Sequence, residues 1–388
     1  MVRFAHISDV HLGGWKQPEL QALNSKSFEM TIDKCIESNL DFILISGDLF
    51  DSAYPPIEIL KNTFAQFKRL KDANLPCFII AGSHDYSVSG KTFLDVLEHA
   101  GFCKNVYDAE DRNNVLFLNP TIFKTVAIYG YPGKKSGLEI EDLKRIKLQD
   151  APGLFKIFML HTTLEEANGG VPMESIKSTK LPYADYYALG HLHLNFIQDK
   201  FVYPGPIFPN NFQELEDLKN GSFYIVDTLK KDSFLEKIEL KLKDVIAITI
   251  ELNDAHSATE KIIKELEKHD ISKKIVLLRL IGELQNGKNS DIKFSQIDEW
   301  AAHKNVYFML RNTHDLLTKD LELDIQVQNT EDIEGETIKF YTKDNPSEFN
   351  PLISQLMNAI SMEKQEGETV ENFKTRIIEE SKKVLNYK

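Results

Sequence analysis

Short apolar runs, each stopping abruptly at a small or polar residue, constrain this chain more than any other feature. They are Val2–Ile7, Phe42–Ile45, Cys77–Ala81, Val126–Tyr129, Ile157–Leu160, Tyr186–Leu189 and Phe223–Val226, and most end at Gly, Asp, Ser or His. Runs this short and continuous suit strands buried on both faces. Between them lie segments with helical spacing, Ser25–Ser38, Ile57–Ala73 and Thr92–Gly101. Strands alternating with helices predict an α/β layered fold. The closer strands after Leu118 imply a mixed sheet, or two sheets stacked face to face.

The length of 388 residues suggests two or three domains at roughly 100–200 residues each. With 42% hydrophobic and 27% charged residues the chain has enough apolar material for a core and is not broadly disordered. No apolar run approaches the ~18 uncharged residues of a membrane span, and Met-Val-Arg-Phe-Ala-His lacks the pattern of a secretory signal. Cys35, Cys77 and Cys103 stand at no metal-binding spacing and read as small hydrophobes in a reducing compartment, which predicts a cytoplasmic protein. The net charge of −13 argues against indiscriminate coating of nucleic acid. Residues 320–388 hold 15 acids against 8 bases, so more than half of that charge sits in the last fifth of the chain.

The texture changes near Lys237. Lys241–Leu252 alternates like a strand, Ser257–His269 is an amphipathic helix, Lys274–Ile281 a strand, Ser295–His303 a helix and Val306–Leu310 a strand. The expected organisation is a first domain over 1–236, a small second domain over 237–315, an acidic linker over 316–348 and a helical segment over 349–388. That last segment contains two amphipathic helices, Phe349–Ile360 and Val370–Leu385, broken at Lys364–Glu368.

The run ends carry the chemistry. They are followed by Asp9-Val10-His11, Gly47-Asp48-Leu49-Phe50-Asp51, Gly82-Ser83-His84-Asp85, His161, and Gly190-His191-Leu192-His193. In open α/β sheets, ligand sites form beyond the carboxyl ends of the strands. Taken singly, each piece has an ordinary structural reading as a turn or a satisfied core histidine. Taken in order, they predict one pocket for two cations. Imidazole with carboxylate suits Mn, Fe or Zn. Asp48, on a central run, is the candidate bridge between two ions that would clamp a phosphate ester and activate a water. His84 is then free as general acid, or to stabilise charge on the leaving oxygen. Asp51 is expected to fix the His84 ring by accepting from its other nitrogen.

This ordered set resembles the calcineurin-like metallophosphoesterases. More narrowly, Ile7–Gly13, Gly47–Asp51, Asp185–His193 and Tyr203-Pro204-Gly205 resemble the DNA double-strand-break repair nucleases of the meiotic-recombination-eleven/SbcD family, archaeal type. The resemblance covers roughly residues 1–230 closely and the remainder less specifically. It implies a four-layer α/β/β/α sandwich with a small α+β capping domain and a C-terminal helical segment. It implies that Asp9, His11 and His193 hold one ion, that His161, His191 and Ser83 hold the other, that Asp48 bridges, and that His84 meets the scissile phosphate. The implied cofactors are two Mn2+ per subunit, with other divalent ions as substitutes. The implied activity is 3′–5′ exonuclease on duplex ends and endonuclease on single strands, on nucleoid-associated DNA in the cytoplasm. The implied partners are DNA and a coiled-coil SMC-like ABC ATPase bound through the C-terminal helices. A homodimer is implied through Ile57–Leu70 and Thr92–Ala100, where Leu60, Phe64, Phe67, Leu70, Phe93, Val96 and Leu97 form a stripe; intramolecular core explains such a stripe equally well. Lys261, Lys264, Lys268, Lys273 and Lys274 could contact phosphates, or form a solvated face.

Ser83 departs from the family pattern, which usually has Asn there. A hydroxyl is shorter than an amide and also donates, so the second ion is expected to bind more weakly. Ser89-Gly90-Lys91-Thr92 imitates the end of a phosphate-binding loop but lacks the glycine five residues before Gly90, so ATP binding is not expected. Two other readings share the same motifs: a phosphodiesterase of cyclic nucleotides or other small esters, and a non-catalytic repair scaffold.

Overall fold

In the computed structural model, alternate residues of the first strand, Arg3–Ile7, serve two different cores. The structure describes residues 2–86, 92–170, 173–230, 234–318, 342, 347, 349–362 and 370–385. Successive strand side chains point to opposite faces. Ala5 and Ile7 therefore join Ile43, Ile45 and Ile79 against the helix residues Phe28, Ile32, Phe67 and Leu70. Phe4 joins Phe42, Leu44 and Phe78 on the opposite face, where they meet Ile128, Ile157, Met159 and Tyr186 of a second sheet. Each fully buried aromatic of this kind contributes about 1.5–3 kcal/mol.

The α-helices among the described residues up to Thr318 are α1 (Pro18–Glu37), α2 (Ile57–Asp72), α3 (Phe93–His99), α4 (Glu139–Leu143), α5 (Phe212–Leu218), α6 (Ala255–Leu266) and α7 (Phe294–His303). The first sheet runs Leu235–Leu240, Gly221–Asp227, Arg3–Ile7, Phe42–Ser46, Cys77–Ile80, Lys104–Asn105; its last four strands are mutually parallel. The second runs Phe196–Gln198, Phe201–Tyr203, Tyr186–Gly190, Phe155–His161, Val126–Tyr131, Thr121–Phe123, with its four central strands parallel. α1 to α3 cover the first sheet. The second is covered by α4 together with a three-stranded sheet of Ala109–Arg112, Val115–Leu118 and Ile146–Leu148. The result is the expected four layers, with part of the fourth built from strands.

Leu235–Leu240 pairs antiparallel with Gly221–Asp227, so the change of texture at Lys237 falls inside an edge strand of the first sheet. The strand expected over 241–252 is Val245–Glu251. It begins a parallel sheet with Ile275–Leu284 and Phe308–Asn312, crossed over by α6 and α7. Leu316–Thr318 also pairs with Gly282–Leu284, so the first residues assigned to the acidic linker belong to this sheet. Apart from residues 342 and 347, the remainder of that linker lies outside the described residues, as do the break at Lys364–Glu368 and Ser89-Gly90-Lys91.

The parallel sheet uses both faces. Val276, Leu278 and Leu280 pack on α6 and α7, while Ile275 and Leu277 pack with Trp15, Leu20, Leu23 and Leu215 from the first part of the chain. Met1–Thr318 is accordingly one compact unit and Lys319–Lys388 a second. In the second unit, Ile353–Ile360 and Val370–Val384 are helices. There Phe349, Leu352, Ile353, Leu356, Met357 and Ile360 line an apolar hollow of about 250 Å³, with Leu385 beside them.

The apolar stripe on α2 and α3 serves mainly this chain's own core. Phe67, Leu70 and Leu97 are buried, and Leu60, Phe64 and Phe93 pack against them; Val96 and Ile57 remain exposed. Of the five lysines noted above, Lys268 pairs with Glu265 and Lys274 with Asp270. Cys35 and Cys77 are buried and all three cysteines are free. Among the described residues no helix is long and apolar enough to cross a membrane.

Candidate metal centre

The parallel strands of both sheets end along one edge, and that edge collects every chemically suggestive residue. Asp9 and His11 follow Arg3–Ile7; Asp48 and Asp51 follow Phe42–Ser46; Ser83 and His84 follow Cys77–Ile80. His161 ends its strand, and His191 and His193 follow Tyr186–Gly190. The turns that aim them inward are unusual. Asp9, His11, Asp48 and His191 have φ of +52°, +47°, +51° and +99°. Non-glycine residues rarely adopt such values, and strain of this kind collects at functional sites. Gly47 and Gly82 are required by close approach: a Cβ on Gly47 would strike His161 Nδ1, and one on Gly82 would strike Asp48 Oδ1.

Asp9, His11, Asp48 and His161 are buried. Three sets of ligand atoms converge within 4.8 Å: Asp9 with His11 and His193, Asp9 with Asp48 and His161, and His11 with Asp48 and His84. Asp48 belongs to two sets and Asp9 to two, so a carboxylate shared between neighbouring positions is built in. His191 donates its backbone N–H to Asp9 Oδ1 at 2.9 Å, and its ring lies 5.1 Å from that of His161, outside the three tight sets. Ser83 Oγ is 3.5 Å from Asp48 Oδ2.

Four of the pocket's histidines share one orientation. The Nδ1 of His161 meets the Ser46 carbonyl at 3.0 Å, that of His11 meets Asp51 Oδ1 at 3.2 Å, that of His193 meets Glu214 Oε1 at 2.9 Å, and that of His84 meets the Asp51 carbonyl at 2.9 Å. Carbonyls and carboxylates only accept, so each Nδ1 carries a proton and each Nε2 is left for the pocket. His11 Nε2 and His193 Nε2 face each other at 3.0 Å. His161 Nε2 lies 3.1 Å from Asp48 Oδ2, yet off the line of a hydrogen bond, and is a buried nitrogen without a hydrogen-bond partner. A buried ring nitrogen left open toward carboxylates, with its opposite nitrogen anchored outward, is the arrangement of a metal-ligating histidine. The residues present fit divalent cations.

The electrostatics agree. Burial opposes charge on the His161 ring, but Asp48 and Asp9 push its pKa up to about 10. Burial likewise opposes charge on His193, and Glu214, Asp9 and Asp48 push it up to about 9. Burial and the charge of His161 bring His191 down to about 4. Burial works to raise Asp48, yet His161, His11 and His84 hold it well below the usual carboxylate range. The carboxylates thus dominate around two of the rings, and without cations His161 and His193 take up protons in compensation.

Asp51 differs from expectation. Its N–H donates to the Leu12 carbonyl at 3.3 Å, and Phe50 bridges Leu12. That pairing turns the carboxylate toward His11, at 3.2 Å, and leaves it 3.7 Å from His84 Nδ1. His84 is held by the backbone carbonyl of Asp51 instead.

Two carboxylates were given no role from the sequence, Asp85, which stands in the Gly82–Asp85 motif, and Glu214, which was not singled out. Asp85 is buried and accepts from the N–H groups of Leu49, Phe50 and Gly82 at 3.1, 2.9 and 3.1 Å, tying the Asp48 loop to the Ser83–His84 loop. Burial and the Asp48 charge push its pKa up to about 6 against those donors. Glu214, in the first turn of α5, anchors His193. Asn211-x-x-Glu214 is a capping-box pattern that would have marked the helix start, but nothing local indicates a histidine partner.

A family model described as calcineurin-like phosphoesterase matches residues 2–195. Curated proteins named DNA double-strand break repair protein Mre11 are similar over longer stretches. That of Methanocaldococcus jannaschii is 28% identical over 275 residues, 67% of this chain and 72% of its own. That of Archaeoglobus fulgidus is 27% identical over 336 residues, 80% and 74%. That of Sulfurisphaera tokodaii is 27% identical over 347 residues, 84% of each chain.

Proposed function

This chain belongs to the calcineurin-like phosphoesterase family and is a metal-dependent phosphoesterase; from that premise we propose that it is a Mn-dependent DNA nuclease that processes double-strand breaks. The observation that carries the reading is the convergence of four Nδ1-anchored histidines on Asp9 and Asp48. The narrowing to DNA is supported by relatives named for double-strand break repair, whose similarity runs well past the residues matched by the family model. The parallel sheet packed on α1 and α5 is part of that longer similarity and suits a substrate larger than a small ester.

In this reading Asp9, His11 and His193 would hold one Mn2+, His161, His191 and Ser83 would hold the other, and Asp48 would be shared by both. When bound, such a pair neutralises phosphate charge and lowers the pKa of an attacking water. The chain's own residues do the rest. Asp51 and Glu214 fix the tautomers of His11 and His193. The N–H of His84 donates to Asp48 Oδ1 at 2.8 Å, which sets the distance of the His84 ring from the bridging carboxylate. That ring is half-exposed with Nδ1 on the Asp51 carbonyl. Its Nε2 is therefore the atom that delivers a proton to the leaving oxygen or stabilises charge there. The hollow between the C-terminal helices is the docking face for a coiled-coil SMC-like ABC ATPase by a helix-in-groove contact. Exposed Ile57 and Val96 are the apolar residues left to a homodimer through α2 and α3.

The test is cleavage of an end-labelled duplex with Mn2+ against Mg2+, beside a cyclic nucleotide. Wild type is expected to degrade the duplex from its ends with Mn2+. His84→Ala is expected to lose about 10²–10⁴-fold in kcat while still binding metal and DNA. Preference for the cyclic nucleotide would replace DNA with a small ester, and absence of any hydrolysis would leave only a scaffold.

A further inference from the structure

α5 is held on two sides by charged side chains from different parts of the chain, His193 and Arg279. At its start, Glu214 uses both oxygens. Oε1 accepts from His193 Nδ1 at 2.9 Å and also from the Asn211 amide, while Oε2 accepts from the Asn210 N–H at 2.7 Å. The Glu214 N–H in turn donates to Asn211 Oδ1 at 2.9 Å, closing the helix cap. The His193 and Glu214 side chains are 22% and 16% exposed, so their pairing is only partly screened by water. On its other side α5 meets Arg279, which stands on Ile275–Leu284 of the parallel sheet. Arg279 donates to Gln213 Oε1 at 3.1 Å, pairs with Glu216, and lies over the Phe212 ring at 5.1 Å. Leu215 and Phe212 pack in the same core as Ile275 and Leu277.

We propose that Glu214 is a positioning residue of the metal centre, fixing His193 so that its Nε2 meets Asp9 and His11, and that Arg279 holds Glu214 in place through α5. The inference rests on the reading of this pocket as a metal site. A carboxylate on the far nitrogen sets the tautomer and rotation of a ligating imidazole and increases its basicity. Losing that anchor lets the ring turn about its χ angles, at a cost to ion affinity. Among the described residues, Arg279 meets Gln213, Glu216, Phe212 and Asp315 and none of the pocket's ligands. Its effect on the metal must pass through the one helix that carries Glu214, so the parallel sheet and the centre are mechanically linked.

The experiment is calorimetric titration of the full-length metal-free protein with Mn2+, paired with its melting temperature before metal is added. Wild type is expected to take up two ions. Glu214→Ala weakens one binding event by about 10–100-fold and leaves the other unchanged. Glu214→Gln, whose amide oxygen still accepts from Nδ1–H, recovers part of that loss. Arg279→Met weakens the same event by a smaller factor, and Arg279→Lys restores some of it. A role confined to capping α5 would lower the melting temperature and leave both affinities intact, which overturns the proposal. Wild-type affinity in Glu214→Gln and Arg279→Met together, with Glu214→Ala unfolded, overturns it equally. A wild type that takes up no Mn2+ sinks the metal-site reading and this inference with it, whereas unaltered variants beside a binding wild type sink the positioning role alone.

Discussion

Ser83 offers the pocket a hydroxyl 3.5 Å from Asp48 Oδ2 at the position where the resembling family usually has Asn. An amide oxygen extends further and does not compete by donating to the bridging carboxylate. Ser83→Asn is therefore expected to tighten the weaker of two Mn2+ events in a calorimetric titration. Unchanged affinity would mean that Ser83 already serves as a full ligand. The identity of the pocket residues was legible only from their joint occurrence at the exits of successive apolar runs, because a single Asp or His there reads equally well as a turn or a core histidine. Their partners were not. Asp51 was expected on His84 and sits on His11, because its N–H pairs with the Leu12 carbonyl and turns the side chain that way. No sequence spacing encodes that pairing.

Elements built from strong periodicity matched the reading closely, as with α2, expected over 57–73 and found at Ile57–Asp72. Short elements escaped it. α4 spans Glu139–Leu143 and is fixed by its charges as much as by its apolar face. Asp142 accepts from the Tyr131 hydroxyl and from Lys134 and Arg145. Burial works to raise its pKa, but those donors bring it down to about 2. The folded value lies below the unfolded one, so the stabilisation is complete above about pH 4 and is lost as pH falls toward 2. Asp142→Asn is accordingly expected to cost about 1 kcal/mol at pH 7. In urea denaturation the gap to wild type should hold down to about pH 5 and close between pH 4 and 2. A gap that widens on acidification would contradict this account.

Across the whole molecule, the small parallel sheet is not an independent bead. Its inner face shares a core with Trp15, Leu20 and Leu215, so Leu277 is fully buried between parts of the chain far apart in sequence. Leu277→Ala should cost about 2–5 kcal/mol. It should lower the melting of Met1–Thr318 as one transition; a separate early transition for the parallel sheet would show that the two parts unfold independently. By itself the sequence determined the alternation of buried strands with helices, the edge where the chemistry collects and the ligand types, since burial and turn propensity are written locally in two- and three-to-four-residue periods. Only the tertiary structure decided which nitrogen of each histidine faces inward and what anchors the other. Those hydrogen bonds join residues 40 positions apart, as in His11 with Asp51, or 21, as in His193 with Glu214. They depend on left-handed turns and close loop packing that no local pattern specifies.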